Sequence, residues 1–263
     1  MAFKDFNPGL GILKSSWIGL EHFTYMFELD DSKIIFRNTI LIAVAKMIGN
    51  LLVPLFFALA LNEIKNRVFT RSVQTIVYLP HFLSWVIIAG ILLHMFSYTG
   101  PVNQLLAAFG TERTLFFASP EIFPVFVVLS DVWKEFGFAA IIFFAALTSI
   151  NPEMYEAAAI DGASQFQRLL RITLPSIIPV AILLATLNLG NIMNAGFDQI
   201  FNLYNPLVYS TGDIIDTWVY RAGLIDMQYG LATAVGLLKS GVGLILITIS
   251  YGLAYKIANY RIF

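Results

Sequence analysis

The sequence contains no cysteine, which excludes disulfides, thiolate nucleophiles and cysteine-based metal sites. Charge is scarce too. Asp, Glu, Lys and Arg make up 13% of 263 residues, about half the share of an ordinary soluble domain. The formal net charge of −1 leaves no basic surplus of the kind that binds nucleic acid. No stretch reads Gly-x-x-x-x-Gly-Lys-Ser/Thr, so the chain has no P-loop with which to bind ATP. His22, His81 and His94 stand far apart, without ligand spacing, and argue against a metal site. Met1 to Trp17 lack the basic-then-apolar layout of a signal peptide. Internal repeats and low-complexity tracts are missing as well.

Apolar length is what the chain has in quantity, with 58% of its residues hydrophobic. A membrane-crossing helix needs about 20 mainly apolar residues. Five segments meet that length, at about 39–61, 73–96, 122–148, 177–196 and 231–257. The expected fold is an all-α integral membrane protein with one membrane domain, 39–257. An outer segment, 1–38, precedes it and a short tail, 258–263, follows.

Basic residues set the orientation. Placing 62–72, 149–176 and the C-terminus in the cytoplasm puts Lys65, Arg67, Arg71, Arg168, Arg171, Lys256 and Arg261 there, against Glu63, Glu153, Glu156 and Asp161. The other side then holds six basic and eleven acidic residues, Asp198, Asp213, Asp216 and Asp226 among them. Two loops on that side are long, and loops of such length usually have a task. In 97–121 the run "VNQLLAAFG" suits a short interfacial helix, and in 197–230 Trp218 and Tyr220 suit the membrane surface.

Between the third and fourth spans lies a stretch that reads like soluble protein, "EAAAIDGASQFQRLLRITLP", Glu156 to Pro175. Asn151 can cap a helix, Pro152 suits its first position and Glu153 favours its positive end. Asp161-Gly162 stops that helix. Ser164 and Gln167 have the spacing of a capping box for a second helix over 165–172, and Pro175 and Pro179 mark the handover to the next span. Physically this is a compact cytoplasmic knob. It either packs on its own bundle or offers Ala157, Ala158 and Ala159 for close approach by another protein.

Glu156-Ala157-Ala158, then Gly162, then Ile172-x-Leu174-Pro175 at this spacing resembles the EAA loop of binding-protein-dependent ABC importer permeases at every defined position. The resemblance extends along the chain through "FKDFNP", "WIGLEHF", "RNT", "LALNE", "QTIVYLPHFLSWV", "LSDVWK", "YNPLVY", "DTWVYR" and "YGLATAVGL". These phrases look like the carbohydrate-uptake branch, most similar to its oligosaccharide and polysaccharide-fragment subgroup. The resemblance implies the type I importer permease fold, and a coupling helix in which Glu156, Ala157, Ala158, Asp161, Gly162, Ile172, Leu174 and Pro175 engage a cytoplasmic ATPase. Glu156 would meet a basic group there. It also implies a second, related permease, an ATPase dimer holding ATP and Mg, an extracytoplasmic binding protein, a saccharide substrate and a bacterial inner-membrane location. This chain itself would bind no cofactor and catalyse no reaction. Members of the subgroup usually carry one more apolar helix ahead of the "FKDFNP" phrase, giving six. Five spans leave the N-terminus outside.

Ionisable groups inside a span are costly, and each is a functional candidate. In the third span Asp131, Lys134 and Glu135 share a face at spacings of three and four. They read either as a structural ion pair or as polar lining of a sugar path, with Trp133 stacking on a pyranose. In the fourth, Asn188, Asn191 and Asn194 repeat every three residues and read either as path lining or as interhelical hydrogen bonding. Gly190 and Gly196 suit close helix approach. Lys46 lies too far from either end of its span to snorkel and is expected to face a partner or a cavity. Two other functions remain at this point, an ion-gradient-driven carrier and an importer permease for a non-sugar solute. A carrier would favour repeated halves, and it has no need of an EAA loop.

Overall fold

A computed structural model of the chain describes residues 1–64 and 66–258, with side chains as far as residue 252. Lys65, the side chain of Lys256, and the tail 259–263 with Arg261, all counted in the charge balance above, lie outside the described residues.

Two short strands open the chain, β1 (Lys4–Asp5) and β2 (Ser16–Trp17). They pair antiparallel around helix α1 (Gly11–Lys14). The Lys4 ammonium donates to the Ile12 and Leu13 carbonyls at the end of α1, where a helix leaves acceptors unmet. Helix α2 (Glu21–Glu28) follows. Helix α3 (Asp30–Asn62) starts well before the expected span, with Asp30 and Asp31 in its first turn complementing the helix dipole.

The second span is not one helix. It divides into α4 (Arg67–Tyr78), a 3₁₀ turn at Leu79–Phe82, and α5 (Trp85–Met95). Pro80 has no N–H to offer the ladder, and Ser84, in extended backbone, restarts the helix by accepting from the Ile87 N–H. The run "VNQLLAAFG" forms α6 (Pro101–Ala108), and the third span is α7 (Phe123–Thr148).

The soluble-looking stretch folds as α8 (Pro152–Ile160) and α9 (Gln165–Arg168), with a π-turn at Leu169–Thr173 leading into α10 (Leu174–Leu189). The handover expected around Pro175 and Pro179 takes place without a break, because the ladder widens just before Pro175. The Leu174 N–H reaches the Leu169 carbonyl, and Pro175 needs no donor of its own. The fourth span instead ends at Leu189, seven residues short of expectation. Helices α11 (Phe197–Leu203), α12 (Tyr209–Gly212) and α13 (Ile215–Tyr220) then precede the long α14 (Tyr229–Ala258).

Among the described residues, Asp30–Asn62, Gln165–Leu189 and Tyr229–Gly252 are long and apolar enough to cross a membrane, and the broken α4–α5 pair is a fourth if taken as one. The 26-residue α7 is long enough, but Asp131, Lys134 and Glu135 fall within any stretch of it of spanning length.

The chain forms two compact units, and α3, α7 and α14 each contribute to both. The first comprises Met1–Lys46, Leu83–Ser130 and Asn191–Leu246. Its main core gathers Ile42, Phe123, Val127, Ile200, Leu203 and Ile214, and a second cluster gathers Met26, Ile35, Met193, Ile215, Leu231 and Val235. The second unit comprises Met47–Phe82, Asp131–Gly190 and the chain from Ile247 onward. Its core is built on Leu55, Ala58, Ala140, Phe143, Leu147 and Ile177.

Candidate functional site

The knob belongs to the second unit, and local chemistry fixes its shape. The Asn151 side chain accepts from the Glu153 N–H at 3.0 Å, and Pro152 occupies the first turn. Gly162 closes α8 at φ +77°, a left-handed conformation that glycine adopts without penalty. Ser164 and Gln167 form the reciprocal box: the Gln167 N–H donates to the Ser164 hydroxyl at 3.3 Å, and the Ser164 N–H to the Gln167 carbonyl oxygen at 2.8 Å. A hydroxyl contact of 2.9 Å between Tyr155 and Thr173 ties α8 back to the π-turn.

This leaves Glu156, Ala157, Asp161, Gly162 and Pro175 exposed, with Ala158, Ile172 and Leu174 half-buried. Leu174 packs on the second unit's core. Two large apolar side chains stand in the open beside the turn, Ile160 at 88% and Phe166 at 67% exposure. A free monomer gains nothing from displaying them. Arg168 holds its Nε away from solvent with no acceptor in the described chain.

The α7 charges, also in the second unit, are bound into a network. Lys134 donates to the His81 carbonyl at 3.0 Å and to Glu135 at 2.7 Å. Glu135 also meets the His81 Nδ1 at 2.7 Å, and the His81 ring stacks on Phe138 with centroids 4.0 Å apart. Asn50 donates to Asp131 at 2.9 Å. Lys134 is buried, whereas Trp133 is 48% exposed. His81, read from the sequence only as one of three scattered histidines, is therefore a member of this cluster. Only its position next to Pro80, at a break in an apolar run, marks it out.

The three asparagines do not line one helix. Asn188 is half-buried in α10, while Asn191 and Asn194 are exposed in the turn beyond it, where the Asn194 N–H donates to the Asn191 carbonyl at 2.8 Å. An unbroken helix would have put them on a slowly drifting face; the end of α10 at Leu189 removes that register. Gly190 does mark close approach, since a Cβ there would lie 2.8 Å from Ile247. Gly196 is a turn glycine instead, at φ +96°.

Within the first unit, Lys46 is buried and donates to the Ala195 carbonyl at 2.7 Å and to the Gln199 side-chain oxygen. Gln199, fully buried, passes the connection on through its amide nitrogen to the Val127 carbonyl at 2.7 Å and the Ser130 hydroxyl at 2.9 Å. Lys46 thus packs into an internal polar cluster, where a partner or a cavity was expected. Gln199 had no periodic signal to reveal it.

The long loop of the first unit is organised around Asp213. This buried carboxylate accepts from Thr217 at 2.7 Å and from both terminal nitrogens of Arg221. The Arg221 guanidinium lies 4.3 Å above the Tyr209 ring. Burial works against the charge on Arg221, but the hydrogen bond and charge of Asp213 outweigh it and raise its pKa further above the ordinary range. Burial also pushes the Tyr204 phenol up. Asp216 pairs with Lys239 of α14, so two acidic residues of 197–230 and one lysine of α14 are internal partners. Among the described residues no three His, Asp or Glu side chains are grouped to hold a metal.

Residues 50–261 match the family described as binding-protein-dependent transport system inner membrane component. Protein LplB of Bacillus subtilis (strain 168) is 41% identical over 248 residues, covering 94% of this chain and 78% of the relative. The polygalacturonan/rhamnogalacturonan transport system permease protein YteP of the same organism is 37% identical over 264 residues, covering all of this chain and 82% of the relative. A chain from the crystal structure of a bacterial alginate ABC transporter, in complex with an alginate pentasaccharide-bound periplasmic protein, superposes with a TM-score of 0.89 at 37% identity. That match covers 93% of this chain and 85% of the other.

Proposed function

Because this chain belongs to the family of binding-protein-dependent transport system inner membrane components, we propose that it is the permease subunit of an ATP-driven importer for an oligosaccharide. Two relatives support the saccharide. YteP is a polygalacturonan/rhamnogalacturonan transport permease, and the alginate transporter binds a periplasmic protein loaded with a pentasaccharide. Substrate is delivered to the long loops 97–121 and 197–230 by an extracytoplasmic binding protein. A second, related permease completes the pathway, and a separate ATPase dimer holds ATP and Mg. The knob and the C-terminus face the cytoplasm.

One observation carries the coupling role, the capped and outward-facing knob itself. Glu156, Ala157, Asp161 and Gly162 are all exposed on it, beside the open Ile160 and Phe166 side chains. Glu156 meets a basic group of the ATPase, the half-buried Ala158 lets the partner backbone come close, and Gly162 sets the turn. Ile172 in the π-turn, with Leu174 and Pro175 in the first turn of α10, carries the knob into that helix. The polar groups of α7, Asn188 in α10, and Asn191 and Asn194 beyond it line the path or hold its walls.

The test is ATP hydrolysis by the reconstituted complex of this chain, its sister permease, the ATPase and the binding protein, with a panel of neutral and acidic oligosaccharides. One saccharide class is expected to stimulate hydrolysis, and Glu156→Lys to abolish the stimulation while membrane insertion is kept. Full stimulation in Glu156→Lys would overturn the coupling assignment. An assembled complex that ignores every saccharide would overturn the substrate.

A further inference from the structure

Helix α11 carries more aromatic surface than its packing calls for. Ile200 and Leu203 anchor it in the first unit's core, with Gln199 buried beside them. Phe197, Phe201 and Tyr204, at spacings of four and three, share a different face. Tyr220 of α13 and Tyr209 of α12 join that face. Phe201 meets Phe197, Tyr204 and Tyr220, and Tyr204 meets Tyr209, with neighbouring ring centroids 4.8 to 6.2 Å apart. Arg221, flat over Tyr209, ends the row. All five rings are half-buried, so each keeps part of its surface open. The hydroxyls of Tyr209 and Tyr220 make no hydrogen bond among the described residues. Along the edge of the row stands Asp198, exposed and without a side-chain partner among those residues.

This chemistry selects an occupant. A row of rings bordered by hydroxyls and a carboxylate is apolar across its surface and polar at its rim. A pyranose is built the same way, with C–H groups on its faces and hydroxyls around its edge. Charge narrows the choice. Arg221 is the only basic residue in 190–230, and Asp213 already holds both its terminal nitrogens. A uronate would find no free cation in this segment and would meet Asp198 as a like charge. A phospholipid is the poorer occupant for the same reason, since Asp198 repels its phosphate.

The geometry points to this row as a stacking site for neutral pyranose units, with Phe197, Phe201 and Tyr220 against the sugar faces and Tyr209 and Asp198 on the hydroxyls. The site rests on the import reading for the delivery of saccharide to 197–230, and it adds the class of sugar unit that is held there.

The test is saturation-transfer NMR on the assembled complex in nanodiscs, without binding protein. The aromatic protons are irradiated and either a galactose or a galacturonate trisaccharide is titrated. Transfer to the ring C–H protons of the neutral sugar is expected, with the uronate bound about fivefold more weakly, the effect of one like charge about 4 Å away in water. Phe201→Leu and Tyr220→Leu should each weaken neutral-sugar binding by about two- to tenfold, the worth of one aromatic contact. Tyr220→Phe, which keeps the ring, should stay closer to wild type than Tyr220→Leu does. Wild-type affinity in both leucine variants would overturn the site. So would transfer from the wild-type rings to lipid acyl protons and none to sugar, a result that needs no variant to fold. Equal or tighter binding of the uronate would overturn the neutral class. The import reading is separable: a saccharide that stimulates ATP hydrolysis but receives no transfer would sink the stacking site alone, and transfer without stimulation by any saccharide would sink the import reading alone.

Discussion

A Cβ added at Gly162 would meet nothing within 4 Å, so an alanine there has room and is opposed only by φ +77°. The left-handed conformation costs a non-glycine residue about 1–2 kcal/mol. Gly162→Ala is expected to lower the melting temperature by only about 2–8 °C while weakening ATPase capture by roughly tenfold, read by co-purification at graded salt. Unchanged capture would show that the turn tolerates redirection. Gln199 is the opposite case, wholly buried and joined to Lys46, Val127 and Ser130. Gln199→Leu takes one acceptor from a buried ammonium and should cost about 2–4 kcal/mol in stability. Adding Lys46→Met should recover part of that loss, because the two changes share one interaction. Simple additivity of the two in thermal melts would rule the coupling out. No sequence pattern could have singled out Gln199, since a buried amide is defined by partners far along the chain. Gly162 was legible because its reason is local.

Caps explain which elements could be read in advance. Asn151, Pro152, Gly162, Ser164 and Gln167 act on neighbours within four residues, and all stand where the sequence put them. The end of α10 and the division between α4 and α5 were not legible as such. Both sit in apolar runs, where hydropathy is the same for a straight and a broken helix. At the second of these breaks Lys134 supplies a donor to the His81 carbonyl, one of the last acceptors of a helical turn that ends at Phe82. The α7 charges thus serve at least as a clamp on the turn Leu79–Phe82. Lys134→Met should speed amide exchange in that turn by about 10- to 100-fold, the worth of a charged hydrogen bond. Exchange at the wild-type rate would mean that the clamp does not hold the turn.

On the scale of the whole chain, composition alone announced a membrane protein, and the spacing of the EAA loop announced its family, which the match over residues 50–261 bears out. Function was easier to read than path. Saccharides are recognised by scattered side chains on different helices, and the sequence offers only periodicity to find them. Trp133, half in the open, remains an aromatic side chain that suits a sugar face. Trp133→Ala is expected to raise the saccharide concentration for half-maximal uptake by about two- to tenfold, the worth of a stacking contact, with ATPase capture intact. Unchanged uptake would return the tryptophan to a packing role.

The π-turn at Leu169–Thr173 holds one residue more than a straight α-helix would use. Removing that residue would leave the hydropathy of α10 untouched and restore regular spacing. It would also swing the knob by about 100° about the helix axis. The aim of Glu156 is thus written in a count rather than in a letter. A one-residue length variant in this turn would insert normally, retain every recognised motif residue, and point the knob the wrong way.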